Sequence, residues 1–165
     1  MRTSEEGFKE GVEKWFAVLL PKIKPLLRQN DGPVLMIQVE NEYGSYSACD
    51  RNYTSWLRDL IWSYLGNETV LYTTWRKSKN RFFPTADGGS TSYLKCGVIP
   101  DVLATVDFGP TSEKNINSSF AAQKKYLPKG HGPLVNSEFY PGWLVLWGQK
   151  SISIPSPEDI VKSAK

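Results

Sequence analysis

The sequence holds a single histidine and two cysteines. It has no apolar run approaching the ~20 residues of a membrane-spanning helix, which excludes such an anchor within these residues. The N-terminal stretch MRTSEEGFKEG lacks the apolar core of a secretory leader. One His and two Cys cannot build a typical zinc site without carboxylates, and no glycine-rich phosphate loop is present. Excess charge of one sign is also scarce. The net charge is +3, and Lys and Arg are spread along the chain apart from one cluster, so a nucleic-acid footprint is missing. What remains is a chain of 165 residues, 40% apolar and 13% aromatic. That composition suits one ordinary globular domain.

Four segments read as strands. Val34-Leu35-Met36-Ile37-Gln38-Val39 is a nearly continuous apolar run, the pattern of a strand buried on both faces in a parallel sheet. Val70 to Thr74 is rich in β-formers, Val102 to Val106 is a third candidate, and Pro133 to Ser137 a shorter fourth. Their starts are spaced by roughly thirty to thirty-six residues, about one βα unit. Helical patterns fill the gaps. Val12, Trp15, Phe16, Leu19 and Leu20 form one stripe, which Pro21 and Pro25 are expected to kink or break. Trp56, Leu57, Leu60, Ile61 and Tyr64 form a cleaner one, with Gly66 as its stop. Phe120, Ala121 and Lys124 mark a weaker helix, and Pro157-Glu158-Asp159 reads as a helical first turn. The alternation implies an α/β fold. A complete (β/α)8 barrel has eight strands and about 250 residues, so four strands correspond to about half of one.

The first strand ends in Glu40-Asn41-Glu42. Carboxylates are costly to hold near a core without partners. Either this strand end opens to water, or the carboxylates do chemistry there. The third strand ends in Asp107, and the fourth in Asn136-Ser137-Glu138, followed by Phe139-Tyr140-Pro141-Gly142-Trp143. Carboxylates on separate strand ends of such a fold can supply the proton donor and the base or nucleophile of a glycosidase. A regular strand would turn Glu40 and Glu42 to one face and Asn41 to the other, whereas a bulge would change this. Asp107 reads as structural or supporting, and His131 as a loop residue.

Cys49 and Cys96 read either as one disulfide or as two buried thiols. Asn52-Tyr53-Thr54, Asn67-Glu68-Thr69 and Asn117-Ser118-Ser119 are candidate glycosylation sequons, which matter in a secreted or lumenal protein.

IQVENEYGSY and LVNSEFYPGW, with LLPKIKPLL, LKCG and TVDFG in the same order, resemble the acid β-galactosidases of glycoside hydrolase family 35. The resemblance implies a (β/α)8 TIM-barrel catalytic domain, of which this chain is an incomplete part covering about strands four to seven with their helices. It implies a retaining hydrolase that removes terminal β-linked galactose from a glycan or glycolipid, without metal or cofactor, in a lysosomal or secreted setting. An oligomeric full-length enzyme is compatible with it, and nucleic acid is not an expected partner. Carried over residue by residue, it makes Glu42 the acid/base and Glu138 the nucleophile, with the two carboxyls about 5–5.5 Å apart. It places Glu40, Asn41, Tyr140 and Trp143 against the sugar. It pairs Cys49 with Cys96, whose positions just past neighbouring strand ends let the two loops meet.

The chain departs from the family between Thr74 and Asp87-Gly88. Residues 75–86 read as an insertion in which four of the twelve are Lys or Arg and three are aromatic. Such a loop can bind an anion or nucleic acid, but a surface insertion is the plainer reading. Half a barrel leaves unpaired edges, so this chain alone is expected to fold poorly. Two alternatives to the enzyme stay open: a truncated, inactive relative with an association role, and a lectin-like galactose binder.

Overall fold

The computed structural model describes residues 1–76, 96–142, 144–151 and 154–164. The chain divides into two compact units, and it passes between them near the end of its second strand and again within its third. Each unit is built on a parallel strand pair whose members are joined through a helix, which is the βαβ unit of α/β proteins.

In the first unit, α1 (Glu6–Ile23) precedes β1 (Ile37–Asn41), and α2 (Arg51–Leu65) links β1 to β2 (Leu71–Arg76). Glu5 caps α1, its carboxylate accepting from the Gly7 and Phe8 amides at 3.0 and 2.8 Å. That anion at a helix start satisfies amides that have no intrahelical partner, and the bonds hold the Glu5 carboxyl below its ordinary value. Helix α1 passes Pro21 and ends at Ile23, before Leu26-Leu27 as expected, and Pro25 lies in the short 3-10 turn Lys24–Leu26. The bond that Pro21 removes is the one to the Ala17 carbonyl. Ala17 is exposed, so water can take that carbonyl. Trp15, expected on the buried stripe, is 58% exposed, and Leu20 is the buried residue of this helix.

Helix α2 buries Tyr53, Leu57, Ile61 and Leu65, a strict i, i+4 ladder. Leu60 and Tyr64 of the expected stripe are half-buried. Gly66 ends the helix at φ 98°, where a side chain would be strained. The ladder packs in one core with Leu71 of β2, Val39 of β1 and Leu20. Ile99 and Val102 close this core from the segment that follows Cys96. Cys49 and Cys96 form a disulfide, with their Cα atoms 5.2 Å apart and a sequence separation of 47.

The first strand starts later than its apolar run suggests. Val34 instead makes a bridge with Leu27, donating to the Leu26 carbonyl and accepting from the Arg28 amide. Leu35 is 66% exposed. Pairing with β2 begins at Ile37, and the register slips between Gln38 and Asn41, where three steps on β1 match two on β2. Trp75 and Arg76, the first two residues of the insertion read over 75–86, continue β2. The remaining residues of the insertion lie outside the described ones.

The second unit contains the end of β3 (Leu103–Asp107), α3 (Glu113–Lys124), β4 (Asn136–Glu138) and α4 (Pro157–Ala164). Ser112 caps α3 by accepting from the Asn115 amide. Phe120, Ala121 and Lys124 lie in this helix as expected, and the face it buries is Ser119, Ala122 and Gln123. Gln123 is fully buried. Its amide donates to the Pro133 carbonyl and accepts from the Val135 N–H, fixing the approach to β4. Ser163 of α4 accepts from the Thr111 amide and donates to the Thr111 carbonyl, which ties the last helix to the loop before α3. Among the described residues, no helix is long and apolar enough to cross a membrane.

Two outcomes follow for stability. Ile61 is 1% exposed, so Ile61→Ala is expected to lower the urea unfolding free energy of the chain by about 2–5 kcal/mol. Replacing both cysteines with serine opens a large loop and is expected to cost about 2–4 kcal/mol in the same measurement. Dithiothreitol should reproduce that loss in the parent chain and leave the double variant unchanged.

Candidate active site

Glu40, Asn41 and Glu42 leave β1 through the register slip, and this changes what each can do. A bulge adds a residue to one strand and interrupts the alternation of side chains. Val39 and Glu40 are consecutive and both buried. Glu40 therefore joins α2 and the N-terminal segment. Its carboxylate accepts from the Tyr53 hydroxyl at 2.8 Å, from Arg2 Nη2 at 2.7 Å and Nε at 3.3 Å, and from the Asn41 amide at 3.0 Å. The regular geometry that would set Glu40 and Glu42 on one face ends at this slip.

Asn41 is exposed at the strand end. Gln38 Nε2 donates to its Oδ1 at 2.8 Å and reaches Thr74 Oγ1 at 3.3 Å. The first bond fixes which edge of the Asn41 amide accepts and leaves Nδ2 as the donor edge. Glu42 follows with φ 51° and ψ 30°, the left-handed conformation. Such a conformation costs a non-glycine residue on the order of 1 kcal/mol or more, so its surroundings must hold it. Here the Glu42 amide donates to the Thr74 carbonyl of β2 at 3.1 Å. Its own carbonyl accepts from the Ser45 amide and hydroxyl at 3.0 and 2.8 Å. The turn Tyr43–Ser45 then places fully buried Tyr43 under the loop.

Around Glu40 the network continues. Arg2 Nη2 also donates to the Asn41 carbonyl at 2.7 Å. The Arg2 guanidinium lies over the rings of Tyr43 and Tyr46, 5.3 and 5.0 Å from their centroids. The Tyr43 hydroxyl donates to the Arg2 carbonyl and accepts from the Asp50 amide. The bond from Glu40 raises the Arg2 guanidinium further above its ordinary value. Burial, with the negative charge of Glu40 beside it, pushes the Tyr53 phenol well up. Burial also raises Tyr43. Each shift favours the protonated form, in which these groups act as donors.

In the second unit, β4 pairs in parallel with β3, and the register matches Val106 with Asn136 and Asp107 with Glu138. The Asn136 side chain fastens the two strand ends. Its Nδ2 donates to the Phe108 carbonyl at 2.9 Å, and its Oδ1 accepts from the Phe108 and Glu138 amides at 3.3 and 3.4 Å. Glu138 is exposed at the carboxyl end of its strand, while Asp107 is buried. Tyr140 is half-buried and lies against Gly109. A Cβ on Gly109 would meet the Tyr140 carbonyl oxygen at 2.6 Å and ring carbons at 2.8 and 2.9 Å, so only glycine admits this approach. An open cleft of about 760 Å³ lies beside this strand end, lined by Phe108, Phe120, Asn136 and Phe139 among others. Trp143 lies outside the described residues.

Of the remaining sequence candidates, His131 is an exposed loop residue. Asn52, Asn67 and Asn117 are all exposed, while the hydroxyl residue of each sequon, Thr54, Thr69 and Ser119, is buried. The roles of Arg2, Tyr53, Gln38 and Asn136 were not read from the sequence. Arg2 precedes every patterned element, and Tyr53 is inconspicuous beside the aromatic Trp56.

Acidic side chains carried at the carboxyl ends of parallel strands are what a glycosidase of α/β architecture uses. The chain belongs to glycosyl hydrolases family 35, whose model matches residues 1–165. It is 49% identical over 149 residues to the beta-galactosidase of Mus musculus, covering 90% of this chain and 21% of that protein. It is 47% identical over 154 residues to the Homo sapiens beta-galactosidase, covering 93% of this chain and 20% of that one. The beta-galactosidase-1-like protein of Mus musculus is 45% identical over 157 residues, 95% of this chain and 22% of that protein. The chain thus spans about a fifth of the length of these relatives.

Asp50 gives this region a measurable pH signature. Its carboxylate caps α2 by accepting from the Tyr53 amide at 3.0 Å and also accepts from the Ser4 amide at 2.6 Å. These bonds hold its carboxyl below the ordinary value. A lowered folded-state value stabilises the fold at pH above the unfolded value, about 3.9, and the contribution is lost as pH falls through the folded one. Asp50→Ala is therefore expected to cost about 1 kcal/mol at neutral pH. The gap between parent and variant should close below about pH 4, as read from urea unfolding across pH.

Proposed function

We propose that the chain carries the two catalytic carboxylates of a retaining β-galactosidase that removes terminal β-linked galactose from glycoconjugates. The observation that carries this reading is that Glu42 and Glu138, in a family 35 chain, each stand at the carboxyl end of a parallel strand, the first one residue beyond β1 and the second closing β4. In this reading β1 to β4 are the fourth to seventh strands of a (β/α)8 catalytic barrel, of which the whole chain is one part. The beta-galactosidase names of the similar proteins support the substrate class, and a lysosomal or secreted setting suits the disulfide and the three exposed sequons.

The chemistry follows from the residue types. A Glu138 oxygen attacks the anomeric carbon while the Glu42 proton passes to the leaving glycosidic oxygen. The carbon–oxygen bond to the aglycone breaks as the glycosyl ester forms. Glu42, now a carboxylate, takes a proton from water. The resulting hydroxide displaces Glu138 and releases galactose with its configuration retained. Asn41 offers its amide donor edge to the sugar 2-hydroxyl, a contact that strengthens in the transition state. Tyr140 presents aromatic surface to a sugar face.

A 2-fluoro-galactoside with a good leaving group tests this directly. Retention through a glycosyl ester predicts a mass increase of one fluorogalactosyl group, located by peptide mapping on Glu138. Its absence in Glu138→Gln, and its persistence in Glu42→Gln, whose missing acid a good leaving group does not need, complete the expected pattern. A label on another carboxylate would overturn the assignment, and turnover with inverted configuration would overturn the mechanism.

A further inference from the structure

Glu40 stands beside the proposed acid/base but is not placed to touch a sugar. A carboxylate offers about four acceptor positions on its two oxygens. Oε1 receives Arg2 Nε and the Tyr53 hydroxyl, and Oε2 receives Arg2 Nη2 and the Asn41 amide. All four positions have donors, and the side chain is 8% exposed. A sugar hydroxyl would have to displace one of them. The same guanidinium that satisfies Glu40 reaches the Asn41 carbonyl. Arg2 and Glu40 thus hold both ends of the Asn41 main chain, its N–H through Glu40 and its C=O through Arg2. The next residue is Glu42 in its left-handed conformation.

We propose that Arg2, Glu40 and Tyr53 form a clamp that sets the main chain at Asn41–Glu42, and that Glu40 is a positioning residue for the hydrolysis rather than a sugar ligand. This deepens, and rests on, the reading of Glu42 as acid/base. Arg2 is the residue on which the clamp turns. Its planar fork contacts a carboxylate and a carbonyl at once, and its face lies over Tyr43 and Tyr46. A lysine would keep the charge without that geometry. Tyr53 joins the clamp to α2, so the position of Glu42 is referred to the buried ladder of that helix.

The test uses hydrogen exchange of individual amides together with galactoside kinetics on the parent chain and on Arg2→Gln, Arg2→Lys, Glu40→Gln and Tyr53→Phe. In Arg2→Gln and Glu40→Gln, the Asn41 and Glu42 amides should exchange at least about tenfold faster while the Ile61 and Leu65 amides of α2 keep their parent rates. Arg2→Lys should fail to restore slow exchange. Tyr53→Phe, which keeps the ring and removes one bond, should give a smaller rise at the same two amides. On a nitrophenyl β-galactoside, kcat should fall by about ten- to a hundredfold with KM little changed, the mark of a misplaced proton donor. Parent-like exchange at Asn41 and Glu42, equal acceleration of the α2 amides, or full rescue by lysine would overturn the clamp. A rise confined to KM in Glu40→Gln would overturn the claim that Glu40 is not a sugar ligand. Because the chain spans about a fifth of the length of its relatives, absence of turnover in the parent chain removes only the kinetic arm, and the exchange pattern alone then decides the clamp.

Discussion

A carboxylate withdrawn from water has to find donors for both of its oxygens, and at Glu40 this requirement organises the surrounding fold. The donors come from three places in the sequence: the N-terminal segment, the strand's own continuation and helix α2. Two of these, Arg2 and Tyr53, are not brought near Glu40 by local structure. Satisfying one buried charge therefore fixes how the N-terminal segment lies on β1, how β1 ends, and how α2 is seated. Breaking one partner would leave a charge with too few donors, which costs far more than the net worth of the contact. The arrangement is specific for that reason, and its effect falls on the residue that follows, Glu42.

The second unit solves a similar problem with neutral groups. Asn136 bonds Phe108 from both edges of its amide, and buried Gln123 does the same for Pro133 and Val135. An amide offers both a donor and an acceptor edge, so one side chain can close two backbone vacancies at a strand end. The short strand β4 has three residues. It is held less by its own ladder than by these two side chains, and the nucleophile candidate Glu138 is its last residue.

Much of the fold was legible in the sequence where hydrophobic pattern decides it. Two parallel strand pairs, the α2 stripe with its Gly66 stop, and the helix starting at Pro157 follow from periodicity and end signals. The misreadings have physical causes. The apolar run from Val34 reads as a strand, but Val34 is used in a bridge to Leu27. Helix α3 buries Ser119 and Gln123, a polar face that an apolar stripe cannot reveal. At the candidate site, the carboxylates and the cysteine pair were readable from motif resemblance. The bulge at Gln38–Asn41 and the Arg2 contact were not, because both depend on which residue happens to be opposite, and a sequence does not display opposition.

The bond between Cys49 and Cys96 has a consequence for how this region can vary. It joins the loop after β1 to the segment that returns the chain to Ile99 and Val102. The loop that follows Glu42 and the apolar residues Ile99 and Val102 are thus tied through one covalent bond. A substitution that shifts either core residue is felt at the strand end, and a change in that loop is felt in the core, so the two can vary only together.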